Sequence, residues 1–134
     1  MVIRGRIDEG YRPTVDVPFR LTGSAESVSF ACWVDTGFNG HVVLRPQHRE
    51  RLNIEPKGLV DAVLADGSIV QIPCYSSEIF WMGTWTEIEV LLSDHGEMPL
   101  LGLGLIVDYR LEIDYPTGEV LICPSQIHNR TTST

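Results

Sequence analysis

The sequence predicts an all-β domain, a partly closed barrel with one or two short helices. Three observations predict it. Short runs of β-branched and aromatic residues recur along the chain, separated by Gly, Pro, Asp and Ser. In the clearest of them Val15, Val17 and Phe19 alternate with Asp16, Pro18 and Arg20, the two-residue period of a strand with one buried face. Helical stretches are few and brief, confined to Pro46–Leu52 and Leu103–Tyr109. With 134 residues and 43% hydrophobic content, one domain can bury a core of its own without disulfides or a structural metal.

Taken in order, Val2–Asp8 and Thr14–Leu21 read as a first strand pair joined by the loop Glu9-Gly10-Tyr11-Arg12-Pro13. Ser27–Val34 is a third strand. Its apolar run Phe30-Ala31-Cys32-Trp33-Val34 reads as buried and delivers Asp35 into a tight turn at Thr36-Gly37. His41–Leu44 is a short strand leaving that turn. Pro46–Leu52 reads as one or two helical turns, because proline at the first helical position gives up an N–H that has no partner there anyway. Leu59–Ala65 and Ser68–Pro73 flank Asp66-Gly67, the strongest hairpin signal in the chain, which predicts a type I′ turn with Gly67 at positive φ. Glu78–Trp81 and Thr86–Leu92 add two strands. Leu103–Tyr109 is nearly continuous in apolar residues without alternation, and so predicts a short helix. Leu111–Tyr115, the turn Pro116-Thr117-Gly118 and Glu119–Ile122 form a closing hairpin. One domain is expected over residues 1–123, with a polar tail over 124–134 that frays.

Composition narrows the function. A formal charge of −8 lacks the clustered Lys and Arg that phosphate binding needs, which argues against a nucleic-acid partner. The longest low-charge stretch, Met98–Val107, contains a proline and two glycines and is too short to span a bilayer. No secretory signal opens the sequence. Cys32, Cys74 and Cys123 are odd in number and widely spaced among apolar or β-favouring neighbours, the pattern of buried, reduced thiols in a cytoplasmic protein. His41, His48, His95 and His128 have no partners at ligand spacing, so neither a metal nor another cofactor is expected. Gly102-Leu103-Gly104 is not a dinucleotide fingerprint, because position 107 is Val and no βαβ pattern surrounds it. No Gly-x-Ser-x-Gly elbow is present for serine hydrolysis. Trp33, Trp81 and Trp85 read as core and rim aromatics.

Asp35-Thr36-Gly37 carries the chemistry. By itself it also reads as an ordinary strand-ending turn, and Ala65-Asp66-Gly67-Ser68 as a plain surface hairpin. The motif gains weight from Pro99-Leu100-Leu101-Gly102, two apolar residues running into a glycine 67 residues after Asp35, and from the hairpin lying between them. In that order and spacing the three resemble the retroviral-type (retropepsin-like) aspartic proteases over about Phe30 to Ile122. Phe38, Gly40 and the Val42-Val43-Leu44 strand look more like bacterial single-domain members than viral ones.

The resemblance implies an acid-protease barrel acting as an aspartic-type endopeptidase on a peptide or protein substrate. Asp35 would be catalytic, Thr36 and Gly37 would shape the active loop, and Thr36 would bond the partner chain's loop. Ala65, Asp66, Gly67 and Ser68 would form the tip of a substrate-binding flap, and Leu100, Leu101 and Gly102 would pack beneath the loop. Two facing carboxylates can share one proton, giving a base to activate water and an acid to polarise the scissile carbonyl. The chain has one Asp in this context, so the mechanism calls for a homodimer with Asp35 on the two-fold axis. Two departures stand out. Leu103-Gly104 replaces the charged residue and Asp or Asn of viral members, which removes a polar contact that supports the viral dimer. Phe38 replaces a small residue, and its ring is expected to narrow or reshape the cleft. An alternative use of the same fold is a catalytically silent module that binds an extended peptide or partner protein. A further alternative is a β-barrel interaction module in which the motif is accidental.

Overall fold

The computed structural model describes residues 1–21, 26–96 and 98–125. Its strands are β1 (Ile3–Ile7), β2 (Pro13–Arg20), β3 (Ser27–Asp35), β4 (Val42–Leu44), β5 (Glu55–Val63), β6 (Ile69–Trp81), β7 (Thr84–Leu92), β8 (Leu100–Gly102), β9 (Tyr109–Asp114) and β10 (Glu119–Pro124). A 3₁₀ helix, Pro46–Arg51, follows β4, and a single helical turn, α1 (Leu103–Ile106), follows β8. Hydrogen bonding orders the strands β5-β6-β7-β4-β8-β3-β2-β1-β10-β9. A further pairing of Phe19 on β2 with Ile79 on β6 closes β2, β3, β8, β4, β7 and β6 into a six-strand barrel. This is the all-β barrel with two short helices that the sequence predicts.

Alternation decides which face turns inward. Val15, Val17 and Phe19 of β2 are fully buried, whereas Asp16 is exposed. They meet Cys32 and Val34 of β3, Val42 and Leu44 of β4, Ile79 and Trp81 of β6, Ile88, Val90 and Leu92 of β7, and Leu101 of β8 in one core. Fully burying an aliphatic side chain of this size contributes about 1.5–3 kcal/mol. The barrel therefore supplies a rigid frame around the strand ends.

Several elements differ from the sequence expectation. β3 is not continuously buried: Phe30, Cys32 and Val34 face inward while Ala31 and Trp33 face out. Trp33 keeps 38% of its surface exposed, and the Arg12 guanidinium carbon stands 5.6 Å from its ring centroid. The expected strands 68–73 and 78–81 are parts of one strand, β6, and its partner β5 begins at Glu55, not at Leu59. The expected helix over 103–109 stops at Ile106, because Tyr109 already pairs with Pro124 in the closing hairpin. Cys32 and Cys74 are buried and free, but Cys123 is only half-buried. The tail from residue 126 onward lies outside the described residues.

Candidate active site

β8 is the wedge on which the site is built. It runs parallel to β3 with Trp33 beside Leu100, Val34 beside Leu101 and Asp35 beside Gly102. On its other side it runs antiparallel to β4, with Val42 opposite Leu101 and Val43 opposite Leu100. The strand entering the Asp35 turn and the strand leaving it are thus both fastened to the same short strand. Leu101 is fully buried and Leu100 half-buried beneath the turn. Backbone bonds complete the clasp. Trp33 N–H donates to Pro99 O (2.8 Å), Gly102 N–H to His41 O (2.8 Å), Leu103 N–H to Phe38 O (2.7 Å) and Gly104 N–H to Gly40 O (3.0 Å).

Within the turn, Gly37 N–H donates to Asp35 Oδ1 at 2.9 Å, and Phe38 N–H donates to Asp35 O at 3.2 Å. No second hydrogen bond to the carboxylate forms among the described residues, so one carboxylate oxygen stays open at the partly exposed surface. Gly37 does not adopt a positive φ. An added Cβ there would lie 3.2 Å from Asp35 Oδ1, a tight contact with the end of one side chain. Thr36 is exposed, and its hydroxyl makes no hydrogen bond among the described residues.

Phe38 packs within the loop region itself. Its ring is half-buried and lies against Gly40 and Gly102, where an added Cβ would come within 2.5 Å of ring carbons. The glycines beside the turn are therefore close-approach residues, a role that Gly104 shares: a Cβ there would lie 2.7 Å from His41 Cδ2 and 3.0 Å from Gly40 O. His41, Gly40 and Gly104 were not singled out as site residues by sequence. Their signal, glycines at 40, 102 and 104 flanking one bulky residue, is readable only once β8 is known to lie against the 38–41 segment. His41 also ties the loop to β7, accepting the Glu89 N–H at Nδ1 (3.0 Å).

The flap candidates Ala65, Asp66, Gly67 and Ser68 form the exposed tip between β5 and β6, in the register Val63 opposite Ile69. The turn is not type I′. Gly67 has φ +86°, but Asp66 does not share a positive φ. Gly67 N–H donates to Leu64 O (2.9 Å) and Leu64 N–H to Ser68 O (2.8 Å), so Ala65 and Asp66 are the central pair and Gly67 follows as a left-handed bulge residue. The I′ pair sits elsewhere, at Met82 (φ +48°) and Gly83 (φ +87°) between β6 and β7. Asp66 Oδ1 accepts the Ser68 hydroxyl (2.6 Å) and the Ser68 N–H (2.9 Å), and these bonds hold its carboxyl below the ordinary value. That clasp therefore persists at neutral pH and is lost only as acid titrates Asp66 through its lowered value. No hydrogen bond joins the tip to the Asp35 turn among the described residues.

Other chemistries find less support. Burial, with a smaller effect from Asp16, pushes the Cys32 thiol up to about 12, so it is protonated and a poor nucleophile at neutral pH. No group of three or more metal-ligating side chains forms among the described residues. No described helix is long and apolar enough to cross a membrane.

A closed six-strand β-barrel with two short helices in this topology matches the retropepsin-like fold. Among solved structures the chain is similar to a retropepsin-like aspartic protease from Rickettsia conorii, with a TM-score of 0.59 over 91% of this chain and 90% of that one. Sequence identity is 14%, so the likeness is one of fold. No protein-family model and no curated protein matches the chain.

Proposed function

We propose that this chain is an aspartic endopeptidase that works as a homodimer, with water activated between two Asp35 carboxylates. The observation that carries the reading is a single aspartate on a strand-end turn held by three backbone bonds to residues 102–104, with one carboxylate oxygen open. Two such carboxylates at hydrogen-bond distance cannot both ionise near neutral pH, so they share a proton and titrate as a unit. The ionised member takes a proton from water, and the protonated member donates to the carbonyl oxygen of the scissile bond. Thr36, exposed and uncommitted, suits a bond to the facing loop. Ala65 N–H has no partner among the described residues, which suits a flap tip that donates to an extended peptide. The free, unpaired cysteines fit a cytoplasmic enzyme.

Activity on a peptide library should fall faster than linearly as the protein is diluted through its dimer dissociation constant, so that specific activity declines, read beside sedimentation velocity at the same concentrations. Thr36→Ala should move that midpoint to higher concentration, because a bond across the axis is left half made. A strictly monomeric protein with concentration-independent turnover would rule out the shared pair.

The tip carries its own expectation. Gly67→Val forces a β-branched side chain to φ +86°, a conformation it resists. Turnover should drop at least ~10-fold while the melting temperature shifts by only a few degrees, since the tip has few packing partners. Proportionate losses of stability and activity, or no change in either, would make this hairpin scaffold and not flap.

A further inference from the structure

Around the Asp35 turn, the side chain that does the bracing is aromatic. Phe38 is held twice through its backbone, its N–H on Asp35 O (3.2 Å) and its carbonyl under Leu103 N–H (2.7 Å). Its ring then spans the gap between the loop's return at Gly40 and the end of β8 at Gly102. An added Cβ at Gly40 would lie 2.5, 2.8 and 3.4 Å from three ring carbons of Phe38 and from no other group as near. An added Cβ at Gly102 would lie 2.5 Å from Phe38 Cδ2. Of the other side chains in the loop, Thr36 and Asn39 are exposed, and His41 reaches sideways to β7 by accepting the Glu89 N–H (3.0 Å). The segment after Gly102 is Leu103-Gly104, which offers no charged side chain to tie the turn from below.

We propose that Phe38 is a positioning residue for Asp35, its ring seated in a socket made by the absent side chains of Gly40 and Gly102. The proposal rests on the aspartic reading for its catalytic consequence and on packing alone for its structural one. The ring fixes the spacing between the 38–41 segment and β8. That spacing sets the Phe38 N–H to Asp35 O contact, and with it where the carboxylate stands. Interiors pack closely enough that a ring this well seated transmits small displacements to its neighbours, and a misplacement of about 1 Å at a reacting group can cost up to ~10²-fold in rate.

The test is a cycle of Phe38→Ala, Gly40→Ala and the double variant, with Phe38→Leu as a milder change that still fills part of the socket. Gly40→Ala alone should lower the melting temperature by about 5 °C. In the Phe38→Ala background the same change should cost less than ~1 °C, because the clashing ring is gone. Phe38→Ala should speed amide exchange at Leu103 and Gly104 by at least ~10-fold. On a cleaved peptide it should lower kcat by ~10-fold or more with KM within about twofold, and Phe38→Leu should recover part of that loss. If Phe38→Ala does not fold, the exchange and kinetic measurements on Phe38→Leu decide the same question. An equal cost of Gly40→Ala in both backgrounds, or unchanged exchange and kcat on removing the ring, would overturn the proposal. A wild-type protein that cleaves no peptide would overturn the endopeptidase reading, and the temperature cycle and exchange rates would still judge the socket.

Discussion

Asp35→Asn should abolish peptide cleavage and leave the fold intact. Asparagine is isosteric with aspartate, and its carbonyl oxygen can still accept the Gly37 N–H now bonded to Oδ1 at 2.9 Å. The turn therefore keeps its internal bond, and the β8 clasp, made entirely of backbone groups, does not involve the side chain. Neutral asparagine cannot hold or release the shared proton, and in a homodimer one substitution removes both carboxylates at once. Loss of general acid–base chemistry of this kind costs roughly 10²–10⁴-fold in kcat, while an isosteric change at a partly exposed position usually moves stability within about 0.5 kcal/mol. Both are read by peptide-library cleavage from acidic to neutral pH beside thermal unfolding. Equal cleavage by the two proteins would remove Asp35 from the mechanism. Cleavage by neither would favour a silent member of the fold that holds an extended peptide without cutting it.

The largest stability loss is expected at Gly102→Ala. The new methyl would overlap the Gly40 carbonyl oxygen, and would lie 2.5 Å from Phe38 Cδ2 and 2.8 Å from Phe38 O. Two of those three neighbours are backbone oxygens that belong to the clasp, so relief requires the 38–41 segment to lift away from β8 and to break bonds as it goes. Overpacking of this kind costs about 3 kcal/mol, a fall in melting temperature of about 10 °C for a chain of this size. Removing the Phe38 ring should not rescue it, in contrast to Gly40→Ala. Gly118→Ala is the comparison: Gly118 sits at φ +75° with no atom near a Cβ, so its cost is conformational only, about 1–2 kcal/mol. If Gly102→Ala proves no worse than Gly118→Ala, close approach is not what glycine provides at 102.

What the residues disclose in advance follows from how local each determinant is. The inward set Val15, Val17 and Phe19, the hairpin closing at Gly118 and the Asp35 turn are all written within a few neighbours, and each was legible. Leu100-Leu101-Gly102 came to notice only through the family resemblance, since two apolar residues before a glycine say nothing locally of the parallel pairing that sets Gly102 beside Asp35. The continuation of β6 through Pro73 was not legible. Proline usually ends a strand, yet Pro73 pairs with Leu59 just before β7 joins at Cys74, so β6 there has one hydrogen-bonded neighbour and the missing N–H leaves no central ladder broken. The Met82-Gly83 turn was hidden because a methionine at positive φ is uncommon and carries no turn signature. The path of the Phe38 ring depends on Gly102, 64 residues away, as much as on nearby Gly40, and nothing near position 38 announces that pairing.

The union of β3 with β8 has a consequence for how the molecule is made. A nascent chain that has emerged only as far as β7 already contains the Asp-Thr-Gly string, the barrel's largest hairpins and most of its apolar residues. It lacks the strand that sits between β3 and β4 and the amides of 102–104 that shape the turn. Long-range parallel pairing of this sort raises contact order and is slow to nucleate, on the scale of milliseconds to seconds, because the entropy of closing the intervening loop is spent before the strands reward it. The geometry of the Asp35 turn is thus completed late in biosynthesis, when nearly the whole domain is available, and fragments ending before Leu100 carry the motif without that geometry.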